Sequence, residues 1–240
     1  MHACGNAKYI SHQIQNKVLE GLAEMVQREI IREVKESEVF SVIADETKDL
    51  KKKEQMSLVV SYYYNGAIHK GFLHFQSAES LDAAGLTKII IDCLEKHGLG
   101  YRNNLVGQGY DGALVMSGKH SGVSARIKNS ARFAFYVHCN AHSLNLVLVD
   151  ANMGMRKEVF RELFRLCTIS VVTPVSSASC ERSFSALKLI KTPLRTTMVD
   201  DRLSHLGILS VESRTARSLN MDEFVKHFAS SHQNCRVILF

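Results

Sequence analysis

Apolar residues recur at helical spacing between Gln13 and Lys35. Val18, Leu22, Met25, Val26, Ile30 and Val34 fall near one face, and charged residues fill the other. This predicts an amphipathic helix docked on the segments C-terminal to it. The period then shortens to that of strands. Glu38 to Asp45 is the first and holds the apolar run Val39-Phe40-Ser41-Val42-Ile43-Ala44. Met56 to Tyr64 is the second, rich in β-formers. Asn65-Gly66 is a tight-turn signal. Ile68 to Gln76 alternates, with Ile68, Lys70, Phe72, His74 and Gln76 opposite His69, Gly71, Leu73 and Phe75. The three runs read as an antiparallel meander.

The helical period returns at Asp82 to Gly98, with Leu86, Ile89, Ile90, Cys93 and Leu94 as the buried stripe, Asp82 as cap and Gly98 as stop. Asn104 to Gly109 is a fourth strand. A helix joins it to the meander, so it runs parallel to the first strand. A helix over Gly122 to Asn129 leads to a fifth strand, Phe133 to His138, and Ala141 to Ala151 reads as helical. The order β-β-β-α-β-α-β-α predicts an α/β fold of ribonuclease-H-like type, with three antiparallel strands followed by parallel βα units. Past a Gly-containing polar seam at Asn152 to Lys157, Ser176 to Lys191 reads as a capped helix. Leu203, Leu206, Leu209, Phe224 and Phe228 mark two more amphipathic helices, and Ser230 to Phe240 has no clear pattern. The expected organisation is an N-terminal helix (1–36), a core (37–152), a seam (153–168), a C-terminal helical segment (169–229) and a tail (230–240).

Composition narrows the class. At 240 residues and 45% hydrophobic, the chain can bury a substantial core without staples. No apolar run reaches the ~18 residues of a membrane span, so no membrane partner is expected. The first residues hold no apolar signal core, which points to an intracellular protein. Six scattered cysteines then read as free thiols. The net charge of +6 permits nucleic-acid binding without demanding it.

Three acids stand out. Asp45 ends the first strand, Asp111 follows the fourth, and Glu181 sits in Ser176-Ser177-Ala178-Ser179-Cys180-Glu181-Arg182-Ser183-Phe184-Ser185. Carboxylates past the ends of two adjacent strands lie where a metal can reach them. Mg²⁺ takes oxygen ligands and keeps several waters. Two such ions about 4 Å apart serve in-line phosphoryl displacement. Each acid also has a plain reading: Asp45 caps a loop, Asp111 caps a helix, and Glu181 is a first-turn acid favoured by the helix dipole.

Gly107-Gln108-Gly109-Tyr110-Asp111-Gly112 matches G-x-G-x-x-G after a strand, but a dinucleotide site needs an acid about 20 residues on. None occurs between Asp111 and Asp150. That acid-free stretch holds Lys119, Arg126, Lys128 and Arg132, which suit either a phosphate backbone or a solvated helix face. Lys51-Lys52-Lys53 is a similar short run, placed in a loop. Cys139 and His142 have C-x-x-H spacing, which is half a zinc site with no matching pair nearby, and a structural role is the expectation for both.

Taken in order, these segments resemble the hAT family of DNA transposases. Ser41-Val42-Ile43-Ala44-Asp45-Glu46-Thr47 is similar to the family's first-Asp strand. Gly107 to Ala113 with Met116-Ser117-Gly118 is similar to its second-Asp segment, and His138 to Leu146 to its C-x-x-H segment. Pro174 to Ser185, continuing through Leu194-Arg195 and Arg202-Leu203, is similar to its C-terminal dimerisation region. The resemblance implies a ribonuclease-H-like core, a catalytic and metal-holding triad of Asp45, Asp111 and Glu181, Mg²⁺ or Mn²⁺, homo-oligomerisation, contact with DNA, and a nuclear location. Two departures accompany it. No Cys/His cluster precedes the core, where the family carries a zinc-binding DNA-recognition domain. Only 38 residues separate His142 from Glu181 (181 − 142 − 1), where the family carries a large helical insertion. The expectation is a catalytically incomplete, dimerising descendant of a transposase. The alternative is an enzyme that still cleaves and joins DNA strands with the three acids.

Overall fold

A computed structural model describes residues 11–48, 53–78, 80–110, 114–118, 120–138, 161–174, 176–192, 195 and 198–231. In chain order the elements are α1 (His12–Glu36), β1 (Phe40–Lys48), β2 (Glu54–Tyr64), β3 (Ala67–Ser77), α2 (Ala83–Lys96), α3 (Tyr101–Asn104), β4 (Leu105–Tyr110), α4 (Leu114–Ser117), α5 (Val123–Ser130) and β5 (Phe135–His138). After these come α6 (Arg161–Val172), α7 (Ala178–Ile190), α8 (Asp200–Val211), α9 (Ser213–Ser218) and α10 (Met221–Ser231). The sheet order is β3-β2-β1-β4-β5. β1, β2 and β3 pair antiparallel, and β4 and β5 join in parallel. This is the ribonuclease-H-like arrangement that the pattern of elements predicts.

Local chemistry sets the boundaries. The Ser11 side chain accepts the Ile14 N–H, and Asp82 accepts the Gly85 N–H at 2.9 Å, so both long helices start at side-chain caps. Asn65 and Gly66 take φ of 47° and 82°, the two left-handed residues that a tight hairpin of matching twist demands.

The strands divide their side chains between two faces. On one, Phe40, Val42, Ala44, Met56, Leu58, Val60 and Tyr62 are all buried and apolar. Here α1 docks: the Tyr62 hydroxyl donates to Glu33 at 2.7 Å, and Gly71 lies against Ile30. The α5 turn closes the same face at β4, where the Gln108 amide donates to the carbonyls of Ser124 and Ala134 at 3.0 and 3.1 Å. The opposite face carries Ser41, Ile43 and Asp45 on β1 and Ser57, Val59 and Ser61 on β2, and it receives α7.

β3 is an edge strand, and side chains satisfy its outer backbone. The Phe75 N–H donates to Ser204 Oγ, which donates back to the Phe75 carbonyl. The Phe72 N–H donates to Glu212 at 2.6 Å, and Gln27 donates to the Leu73 carbonyl at 2.8 Å. Gly207 lets α8 approach the rings of Phe72 and Phe75. An edge left bare would be a template for another chain, and this cover removes it. The C-terminal helices therefore complete the core, which local pattern did not reveal.

The structure adjusts several expectations. β1 does not end at Asp45 but pairs with β2 as far as Lys48. β5 begins at Phe135, because Phe133 sits in a turn. Val18 and Leu22 join a separate cluster with Met25, Phe224 and Phe228 of α10, so the stripe of α1 serves two partners. α6 answers to no element read from the sequence. The helix expected over Ser176 to Lys191 begins at Ala178 and its N-cap residue, Ser177, makes no side-chain cap bond, while Ser176 Oγ accepts the Ala178 N–H at 3.1 Å. The helix over 141–151, the seam at 152–157 and Lys51 and Lys52 lie outside the described residues.

Candidate acidic site and basic surface

Glu181 reaches the sheet because α7 is anchored by its neighbours. Cys180 is fully buried, with its thiol 3.6 Å from the Ile43 carbonyl and 3.8 Å from that of Ser57. Ser183 Oγ lies 2.6 Å from Ser57 Oγ, and Phe184 stacks on Phe75 with centroids 6.4 Å apart. The residues facing the sheet, 180, 183, 184 and 187, follow the helical period and are all buried, which leaves Glu181 exposed on the flank. Ser177 Oγ donates to its carboxylate at 3.5 Å.

Asp45 is half-buried on β1 opposite Ser57, the residue that α7 grips. Its carboxylate accepts the Glu46 N–H at 2.9 Å. Burial pushes the Cys180 thiol above its usual range, and the charges of Asp45 and Glu181 push the same way against the Ser57 hydrogen bond and Lys70. Cys180 is a packing residue, not a nucleophile.

Asp111 lies outside the described residues. The parallel register pairs Ile43 with Gly109, and β4 runs to Tyr110, the residue before Asp111. Among the described residues no group of three His, Cys, Asp or Glu is placed to hold a metal. Asp45 and Glu181 are oxygen donors of the kind that Mg²⁺ or Mn²⁺ takes.

The Gly107-Gln108-Gly109 motif receives a structural explanation. A Cβ on Gly107 would lie 2.7 Å from Pro174 Cδ, and one on Gly109 would lie 2.8 Å from Pro174 Cγ. These glycines admit the segment that leads into α7. The pattern that imitates a dinucleotide loop is a packing groove for Pro174.

Of the basic candidates, Lys119 lies outside the described residues, while Arg126, Lys128 and Arg132 are exposed on α5 and the turn after it. Lys128 Nζ stands 4.9 Å over the Phe135 ring and the Arg132 guanidinium 4.5 Å over that of Phe133. Both rings are about half exposed, at 58% and 43%. Reading Phe133 and Phe135 as strand residues missed this surface, although cations interleaved with aromatics were its visible signal. Cys139 and His142 lie outside the described residues.

Residues 1–122 match the family model for the ZMYM1/FAM200 RNase-like domain, and residues 156–215 match that for the hAT family C-terminal dimerisation region. Among solved structures, the Mos1 transposase catalytic domain with raltegravir and Mn is 14% identical over 91% of this chain and 96% of that one, with a TM-score of 0.26. The Mos1 transposase paired-end complex with the left transposon end is 12% identical over 95% and 66%, also with a TM-score of 0.26. The strand order and the family match, not these distant likenesses, carry the fold assignment. The first match spans half of the chain, and this transposase-derived protein belongs to the family of the ZMYM1/FAM200 RNase-like domain.

Proposed function

We propose that the chain acts as a dimerising, DNA-associated nuclear protein that has kept the frame of a transposase site without the means to transpose. The observation that carries this reading is the match of residues 156–215 to the hAT dimerisation region. Within it, Leu166, Leu189 and Val199 are 60%, 78% and 62% exposed. Leu189, the most exposed of the three, is the position at which the dimer is tested. The 38 residues between His142 and Glu181 leave little room for the insertion that the hAT resemblance implies, which supports the loss of transposition. No described helix is long and apolar enough to cross a membrane.

Light scattering on a size-exclusion column tests the dimer. A mass of twice the chain is expected, falling to one chain in Leu189→Glu. A monomer at high micromolar concentration would overturn the reading.

A second reading, metal-dependent strand cleavage, is supported by Asp45 on β1, opposite the Ser57 that α7 grips through Ser183, with Glu181 on that helix. In it Asp45, Asp111 and Glu181 hold Mg²⁺ or Mn²⁺, which would polarise the scissile phosphate. Nicking of DNA that needs Mn²⁺ and disappears in Asp111→Asn is its signature. Nicking that survives the substitution belongs to a contaminant.

A further inference from the structure

On the flank of α7 lies a cleft of about 440 Å³ whose walls include Lys70, Phe72, Arg182, Glu212 and Arg214. Its shape follows from the helical period. Ser179, Arg182 and Ala186 stand at positions i, i+3 and i+7 of one α7 flank, so small side chains leave room on either side of the guanidinium. Val59 and Phe72 give it an apolar wall from the sheet.

The charges in this cleft are out of balance, with three cations to one carboxylate. The carboxylate is already engaged, because Glu212 accepts the Phe72 N–H at 2.6 Å at the edge of β3. Burial raises its pKa, against the Phe72 hydrogen bond and the nearby Arg182 charge. Among the described residues no ion pair joins Glu212 to any of the three cations. Arg182 donates to the Ser179 hydroxyl at 3.2 Å. The Lys70 ammonium has no hydrogen bond or ion pair among the described residues. It is half-buried, and the nearby Arg182 charge adds to burial in lowering its pKa. A desolvated ammonium beside a guanidinium is unfavourable until an anion stands between them. An oxyanion offers several acceptors to a fork and a point charge together.

We propose that this cleft is a phosphate-binding site, with Lys70, Arg182 and Arg214 as the groups that receive the oxyanion. It does not depend on the dimer. Its place gives it meaning, because Arg182 directly follows Glu181 on α7. Phosphate presented here lies on the flank of the helix that carries the candidate acid. It comes either from a nucleic-acid backbone or from a free phosphate or nucleotide.

The test uses the full chain at low salt in two arms: calorimetric titration with inorganic phosphate and pyrophosphate, and anisotropy with a fluorescein-labelled DNA duplex. Arg182→Gln and Arg214→Gln are exposed changes that spare the fold. Lys70→Gln is checked by thermal melting, and Arg217→Gln removes an exposed charge outside the cleft. Each cleft variant is expected to bind about tenfold more weakly, the loss of a charged hydrogen bond, with Arg217→Gln unchanged. Saturable phosphate or pyrophosphate binding with that pattern identifies a free-phosphate source, and the pattern on the duplex alone identifies the backbone. The site is overturned if neither arm binds, if the cleft variants bind as the parent does, or if Arg217→Gln weakens binding equally.

Discussion

The two faces of the central sheet are built from different chemistry. Under α1 the sheet presents Phe40, Val42, Ala44, Met56, Leu58, Val60 and Tyr62, a continuous apolar layer. Under α7 and the segment leading into it, it presents small residues, Ser41, Ser57, Ser61, Gly107 and Gly109, between the apolar Ile43 and Val59, with Asp45 at the same face. The first face stabilises by area removed from water, where large side chains have no substitute. The second adds close approach and short hydroxyl contacts, such as Ser57 with Ser183, to the apolar packing of Ile43, Val59 and the Phe184 ring on Phe75. Small residues bring α7 close to the strands, and Arg182 on its flank shares a cleft with Lys70. One face is held by bulk throughout, and the other mixes apolar packing with small residues that admit α7 and the segment before it.

Substitutions can break this comparison. The largest loss is expected from Leu58→Ala on the apolar face, about 2–5 kcal/mol in urea unfolding. Gly109→Ala tests the close approach. Its new methyl meets Pro174, and a loss of about 1–3 kcal/mol is expected, with Pro174→Ala relieving part of it in the double variant. If Gly109→Ala is neutral, the segment before α7 does not press on β4.

Acid adds a prediction for the helical side. Burial, with Lys96, His74 and Lys35 nearby, brings the His97 imidazole down to about 4, and His74 is lowered too, chiefly by burial. An imidazole in the unfolded chain titrates near ~6.5, so below that pH the unfolded state binds the extra protons. Stability is present in full above about pH 6.5 and is lost as pH falls toward 4, and His97→Asn should flatten that slope. A midpoint in urea that does not change over this range would contradict it.

Smaller effects sharpen the polar face. Ser57→Ala should cost only about 0.5–1.5 kcal/mol, because Ser183 keeps its bond to the Cys180 carbonyl. A loss as large as that of Leu58→Ala would erase the distinction between the faces. The smallest effect expected is none. Burial pushes the Cys93 thiol up to about 12 and Cys180 higher still, so neither should be alkylated in the folded protein at mildly alkaline pH. Mass spectrometry after iodoacetamide checks this, and rapid labelling of Cys180 would mean that α7 does not stay on the sheet.

The strands and long helices were legible because their periods differ and their stops are chemical: Asp82 as a cap, and Asn65-Gly66 and Gly98 at positive φ. The first three strands and α2 come from such local signals. α6 was missed although Pro174 follows its last residue by two positions, and the end of β1 was misplaced because Glu46 to Lys48 are polar yet paired to β2. Asp45 and Glu181 were legible as acids in a motif, but the packing of the helix that carries Glu181 against Ser57, opposite Asp45, was not, since 135 residues lie between the two acids (181 − 45 − 1). Lys70 carries no signal of its own. In sequence it is one polar position in an alternating strand, and only its neighbours in the fold make it a charge without a partner among the described residues.

The sequence by itself determined the elements, their order and the residue types available for chemistry, because hydrophobic period, caps and turn residues act over a few positions. Tertiary structure decided which face each helix covers, why Gly107 and Gly109 are glycines, how the edge of β3 is closed, and that Lys70 and Arg182 share a cleft. Those outcomes depend on contacts between residues far apart in the chain, where packing and desolvation, not local propensity, set the energy.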